Sequence, residues 1–235
     1  MPIKVNKSLN FSKNPRSLRN IRYLIIHYSG MQSGRVSMKK LKSPKSKVSC
    51  HYFIERNGDI YRMVNDNRIA WHAGKSKWMN INNLNKYSIG IEIQNKGHSI
   101  RYQNFPKKQI FSLIKLIKIL IKKYKIKKEN VLGHSDIAPL RKSDPGEKFP
   151  WSLLSSKGVG IWYPKFKIKK YNFKSSTKRK IFFKNIYKIG YRFFSLSKQS
   201  KKDRLIIKAF QRRYLPREVN GRITNKTLNI SQLLV

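Results

Sequence analysis

Two rhythms of apolar and polar residues run along this chain. Tyr23-Leu24-Ile25-Ile26 is an unbroken apolar run closed by His27, and it reads as a buried strand over 21–28. Ser88-Ile89-Gly90-Ile91-Glu92-Ile93 is a second β-branched run, and Asn130-Val131-Leu132-Gly133 a short third. Between them, 48–56 and 59–64 flank Asn57-Gly58, a pair that favours the left-handed dihedrals of a tight hairpin turn. The longer rhythm begins after Pro106. Ile110, Leu113, Ile114, Ile117, Ile121 and Tyr124 recur at three- and four-residue spacing, which predicts a helix to about Tyr124 with lysines on its other face. A short helix is expected around Met38 to Leu41, inside an otherwise irregular 29–47. Residues 1–20 read as an extended lead-in and 75–86 as a polar loop.

Strands mixed with one long helix give an α/β domain, expected to end near Trp162. A basic linker is expected at 163–176. Beyond it, helical spacing recurs at about 177–189, 201–213 and 224–234, with Thr224 as N-cap of the last, and this reads as a small separate three-helix domain over 177–235. Cut near Trp162, the α/β part is expected to work alone.

Composition narrows the classes. A single cysteine, Cys50, excludes an internal disulfide framework, and its default role is a small buried hydrophobe. The start of the chain has no apolar signal core, and the most apolar stretch, Ile110 to Ile121, is interrupted by Lys115 and Lys118. The expectation is a cytoplasmic monomer with no transmembrane segment. The net charge of +44 is spread over the chain, with basic excess both before and after residue 160. That attracts polyanions in general, but no clustered basic helix or stacking motif marks a specific nucleic-acid partner.

The candidate chemistry gathers in Gly133 to Gly146, where Pro139, Pro145 and Gly146 argue for a loop without regular structure. It offers His134, Lys142 and Asp144. A catalytic zinc site needs three protein ligands and an open position, and His27 at its strand end is the best third ligand. Each residue also has a plainer reading: His27 as a packed histidine, Asp144 as a turn residue before Pro145. Glu92, in an apolar strand, is a candidate general base if it points inward, since burial raises a carboxylate's pKa. Strand alternation equally allows it to face solvent. Lys142 is a candidate for oxyanion support.

Five segments in order carry a resemblance: Leu24-Ile25-Ile26-His27-Tyr28-Ser29, Val48-Ser49-Cys50-His51-Tyr52, Ala70-Trp71-His72-Ala73-Gly74, Ser88-Ile89-Gly90-Ile91-Glu92, and Gly133-His134-Ser135-Asp136-Ile137-Ala138-Pro139 with Arg141-Lys142-Ser143-Asp144-Pro145-Gly146. Over about 20–162 the chain resembles the zinc-dependent N-acetylmuramoyl-L-alanine amidases of the AmpD/AmiD type, which share a fold with phage lysozyme-type amidases and peptidoglycan recognition proteins. The resemblance implies a mixed central β-sheet flanked by helices. It implies one Zn2+ held by His27, His134 and Asp144, Glu92 as the base activating water, and Lys142 supporting the oxyanion. It places Trp71 and His72 near the substrate groove, and it implies peptidoglycan or muropeptides as substrate. A non-catalytic recognition module is the rival reading. The tail, Ile207-Lys208-Ala209-Phe210-Gln211-Arg212-Arg213-Tyr214 with Asn220-Gly221 and Thr227-Leu228, resembles the peptidoglycan-binding module appended to such enzymes and implies contact with the cell wall. It departs from that module at Arg222-Ile223-Thr224-Asn225-Lys226, where an acidic residue is usual.

Overall fold

The computed structural model describes residues 2–164 and 175–235, without the side chains of Ser175 and Ser176. Strands β1 (Ile3–Val5), β2 (Tyr23–Tyr28), β3 (Tyr52–Ile54), β4 (Ile60–Arg62), β7 (Ser88–Ile93) and β8 (Val131–Gly133) form one sheet in the order β1-β4-β3-β7-β2-β8. The sheet is mixed: β3 and β4 pair antiparallel across the Asn57-Gly58 turn, and the other neighbours are parallel. Gly58 has φ 95°, the left-handed value that such a turn asks of one residue. β1 lies in the extended lead-in, where it supplies the edge partner of β4. The expected loop at 75–86 instead holds a small hairpin, β5 (Lys77–Trp78) with β6 (Ile81–Asn82), and a 3-10 turn at Leu84–Tyr87. Both elements are too short for periodicity to register.

The two faces of the sheet are covered differently. On one, Leu24, Ile26, Tyr52, Ile54, Ile89, Ile91 and Ile93 pack against Ile110, Leu113, Ile114, Ile117 and Leu120 of α2 (Lys107–Tyr124), and against Trp151 and Leu154 of α4 (Trp151–Ser156). On the other, Phe53 joins Leu41 of α1 (Gly34–Lys42), Cys50 and Met63 in a small cluster. Cys50 is a buried hydrophobe there. Farther along the same face, Tyr23, Ile25 and Leu132 join Ile137 of α3 (His134–Ile137) and Phe182, Phe183, Ile206 and Phe210 in one core. Those last four belong to α5 (Ser175–Ile189) and α6 (Asp203–Tyr214); α7 (Asn225–Gln232) adds Leu228 and Ile230.

The three C-terminal helices match the spacing read from the sequence, and Thr224 caps α7 by accepting from the Thr227 N–H at 3.1 Å. Their packing differs from the expectation of a separate unit: the apolar sides of α5 and α6 face the sheet as well as each other, so the core crosses the expected boundary. Most of the expected linker, 165–174, lies outside the described residues.

Candidate active site

Strand register builds half of the site. In the parallel pair of β2 and β7, Tyr23 stands beside Ser88, Ile25 beside Gly90 and His27 beside Glu92. Alternation turns 23, 25 and 27 to one face together with 88, 90 and 92. His27 and Glu92 thereby meet at the C-terminal ends of adjacent parallel strands, between the α1 cluster and the C-terminal helices. Glu92 faces inward, as a general base requires; the outward alternative fails.

The other half comes from the segment after β8. It is not wholly irregular: His134 to Ile137 form one helical turn. The Asp136 carboxylate accepts the Gly133 N–H at 2.8 Å and closes the turn, and Pro139 prevents its continuation. His134 opens this turn and Asp144 returns beside it, with the Ser135 N–H donating to the Asp144 carbonyl at 2.8 Å. The Asp144–Pro145 peptide bond is cis.

Three donor atoms converge. His27 Nδ1 lies 2.9 Å from His134 Nδ1 and 3.2 Å from Asp144 Oδ2, and His134 Nδ1 lies 3.0 Å from that same oxygen. All three residues are buried. His134 Nε2 lies 3.1 Å from the Ala73 carbonyl, which can only accept; this contact, shorter than the 3.3 Å to Arg141 Nη2, places the proton on Nε2 and leaves Nδ1 as a bare lone pair. Two imidazole nitrogens and a carboxylate oxygen suit zinc. Tetrahedral zinc with bonds of about 2.0–2.1 Å needs donors about 3.3–3.4 Å apart, so the set need open only by a few tenths of an ångström.

Protonation states agree. Burial and the neighbouring His134 pull His27 down to about 4, so it is neutral at pH 7. Burial pushes the Asp144 carboxyl up, but positive charge on His134 and hydrogen bonds from the two imidazoles outweigh that effect and hold it far below the ordinary carboxylate range whenever a ring nitrogen carries a proton toward it. Neutral histidines and an ionised carboxylate are the ligating forms. Glu92 behaves oppositely. Burial and the adjacent Asp144 charge raise it to about 8, against the lowering influence of Lys142, and its Oε2 has no hydrogen-bond partner among the described residues.

These residues line a cavity of about 340 Å³, together with Lys142, Tyr28, Lys40, Trp71 and His72. The two expected groove residues differ. Trp71 donates its Nε1–H to Ser12 Oγ at 3.2 Å and presents its half-buried ring to the cavity. His72 has both ring nitrogens engaged within the protein, toward His27 and Ser88.

Three supports escape a reading of the sequence. Asn85 Oδ1 accepts from the backbone N–H of His72 and of Ala73, at 3.1 and 2.7 Å. Arg141 donates to the Ala73 and Lys75 carbonyls. Arg213, 3% exposed, donates to Asp136 Oδ2 at 2.6 Å, while the Tyr191 hydroxyl donates to Oδ1 at 2.6 Å. None has a local signature, because each partner lies far away in the sequence.

Residues 17–147 match the family described as N-acetylmuramoyl-L-alanine amidase. The chain belongs to this amidase family. Its members are generally zinc-dependent, which agrees with the donor set above. N-acetylmuramoyl-L-alanine amidase AmiD of Escherichia coli is 34% identical over 230 residues, covering 92% of this chain and 82% of the relative. The solved structure of AmiD with anhydro-N-acetylmuramic acid-L-Ala-D-gamma-Glu-L-Lys superposes with a TM-score of 0.82, at 30% identity, over 95% of this chain and 91% of that one. AmpDH3 of Pseudomonas aeruginosa, solved with anhydromuramic pentapeptide, gives a TM-score of 0.83 at 27% identity, over 100% and 97%. The amidase fold is thus shared along the whole length, the C-terminal helices included.

Proposed function

We propose that this chain hydrolyses the amide between the lactyl group of N-acetylmuramic acid and L-alanine, in peptidoglycan or muropeptides, with one zinc ion held by His27, His134 and Asp144. The observation that carries the reading is the convergence of three donor atoms, 2.9–3.2 Å apart, in a cavity that Glu92 also lines. Zinc bound there supplies a Lewis acid and lowers the pKa of water. Glu92 takes the proton from the attacking water as the new C–O bond forms, then delivers it to the amine nitrogen as the C–N bond breaks. Burial, which raises a carboxyl's pKa, suits a group that must both accept and donate a proton close to neutral pH. Lys142 lines the same cavity, and its charge stabilises negative charge developing on the carbonyl oxygen. The ring of Trp71 offers the sugar or peptide an apolar wall. We further propose that the C-terminal helices contact the cell wall.

The test is digestion of purified sacculi and of soluble muropeptides, followed by mass spectrometry. Release of peptides with a free L-alanine amino group, stopped by a chelator and restored by zinc, is the expected result. Glu92→Gln should keep zinc and lose about 10²–10⁴-fold in rate. Tight muropeptide binding with no release by the parent would replace this reading with that of a recognition module.

A further inference from the structure

The hydrogen bonds of His72 have directions that can be worked out from their far end. The Leu84 carbonyl can only accept, so the Ser88 hydroxyl donates to it, at 2.6 Å. That hydroxyl has a single proton, so toward His72 Nε2, 3.2 Å away, it must accept. His72 therefore carries its proton on Nε2, and its Nδ1 is an acceptor. His27 Nε2 lies 3.0 Å from that Nδ1 and can only donate to it. His72 Nδ1 and Asp144 Oδ2, 3.2 Å from His27 Nδ1, compete for the single proton of a neutral His27; the shorter contact to His72 places it on Nε2 and leaves Nδ1, which faces His134 and Asp144, with a bare lone pair.

We propose that His72 is a positioning residue: through Ser88 it selects the tautomer of His27 that presents Nδ1 to the metal. The proposal rests on reading His27, His134 and Asp144 as the metal site. It gives His72 a role behind the site instead of against the substrate.

The seat of this ring is built for it. Gly90 lies between Ser88 and Glu92 on the same strand face, and a Cβ there would come within 2.3 Å of His72 Cγ. A larger residue at 90 would displace the imidazole. Asn85 holds the backbone on which the ring is mounted. The His72 ring meets His27 edge-on, with centroids 5.1 Å apart and planes at 81°. That geometry points a nitrogen of one ring at a nitrogen of the other. Packing alone would ask only for a flat ring, which phenylalanine supplies in a somewhat larger form. The hydrogen-bond chain asks for an acceptor at the Nδ1 position, which the Oδ1 of asparagine can supply and phenylalanine cannot.

The test uses the full chain and two readouts besides activity. Long-range proton–nitrogen correlation spectra of the metal-free parent at pH 7 report which nitrogen of His27 carries hydrogen. Zinc titrations then compare the parent with His72→Phe, His72→Asn and Ser88→Ala. The expected spectrum shows His27 protonated on Nε2. Zinc affinity should fall about 10–100-fold in His72→Phe, the usual loss when a ligand's outer partner is removed. His72→Asn should recover most of it, and Ser88→Ala should fall between. A His27 protonated on Nδ1, or His72→Phe binding zinc as tightly as the parent, would overturn the proposal and leave the metal site standing. A parent that binds no zinc would remove both. If His72→Phe fails to fold, the parent's spectrum and Ser88→Ala decide.

Discussion

The two histidines of the triad are held by different parts of the molecule. His27 lies one residue before the end of β2, which is paired on both sides, and its ring is backed by His72, Ser88 and Asn85, all within the family-matched stretch 17–147. His134 opens a four-residue turn, and that turn is tied down through Asp136 by Arg213 of α6 and by Tyr191, just after α5, both beyond the match. Asp136 is 1% exposed and accepts from Gly133, Arg213 and Tyr191, and the Arg213 guanidinium also lies 4.1 Å over Trp151. The chemistry is therefore contained in the family-matched stretch, while part of what orders it is not.

The largest way to break this comparison is to end the chain at Trp162. The sequence suggests that such a piece works alone; the packing predicts otherwise. Uncovering Tyr23, Ile25, Leu132 and Ile137 forfeits roughly 1.5–3 kcal/mol for each side chain. The sum is comparable with the whole stability of a domain, about 5–15 kcal/mol. The shortened chain should melt far below the full one and hold zinc poorly, as read by thermal unfolding and metal analysis. Equal melting and full zinc would show that the helices are detachable.

Arg213→Met is a more local probe of the same contrast. It strands the Asp136 carboxylate in the core, and breaking such a pair costs about 3–5 kcal/mol. Urea unfolding should show that loss, and zinc affinity should fall through the His134 turn. Adding Asp136→Asn removes the stranded charge and should return part of the stability. A double variant no better than the single one would mean that the charge pair is not what secures the turn.

A pH-dependent probe tests the strand-built half. Glu92 is raised above its ordinary 4.5 to about 8, so the folded metal-free protein prefers it protonated. Its contribution to stability is intact below about 4.5 and is lost as the pH rises toward 8. Glu92→Gln should therefore gain stability over the metal-free parent across that window, by up to about 1.4 kcal/mol per pH unit. Unfolding at pH 5, 7 and 9 measures it. A difference that does not change with pH would place Glu92 in a solvated setting.

What the sequence determined by itself is local. Period two and period 3.6 mark β2, β7, α2 and the C-terminal helices because a side chain's direction repeats with the backbone. The ordered motifs name His27, His134, Asp144, Glu92 and Lys142, and the structure lines one cavity with all five. The one-turn helix at His134, the β5–β6 hairpin and β1 stayed hidden, since two to four residues are too few to show a period. Tertiary structure decided the rest. His72 reaches His27 across 45 residues, His27 reaches His134 across 107, and Arg213 reaches Asp136 across 77. Nothing local records such pairings. They exist because strand register brings 27 beside 92, because Gly90 leaves room for an imidazole, and because the apolar sides of α5 and α6 have the sheet to close against.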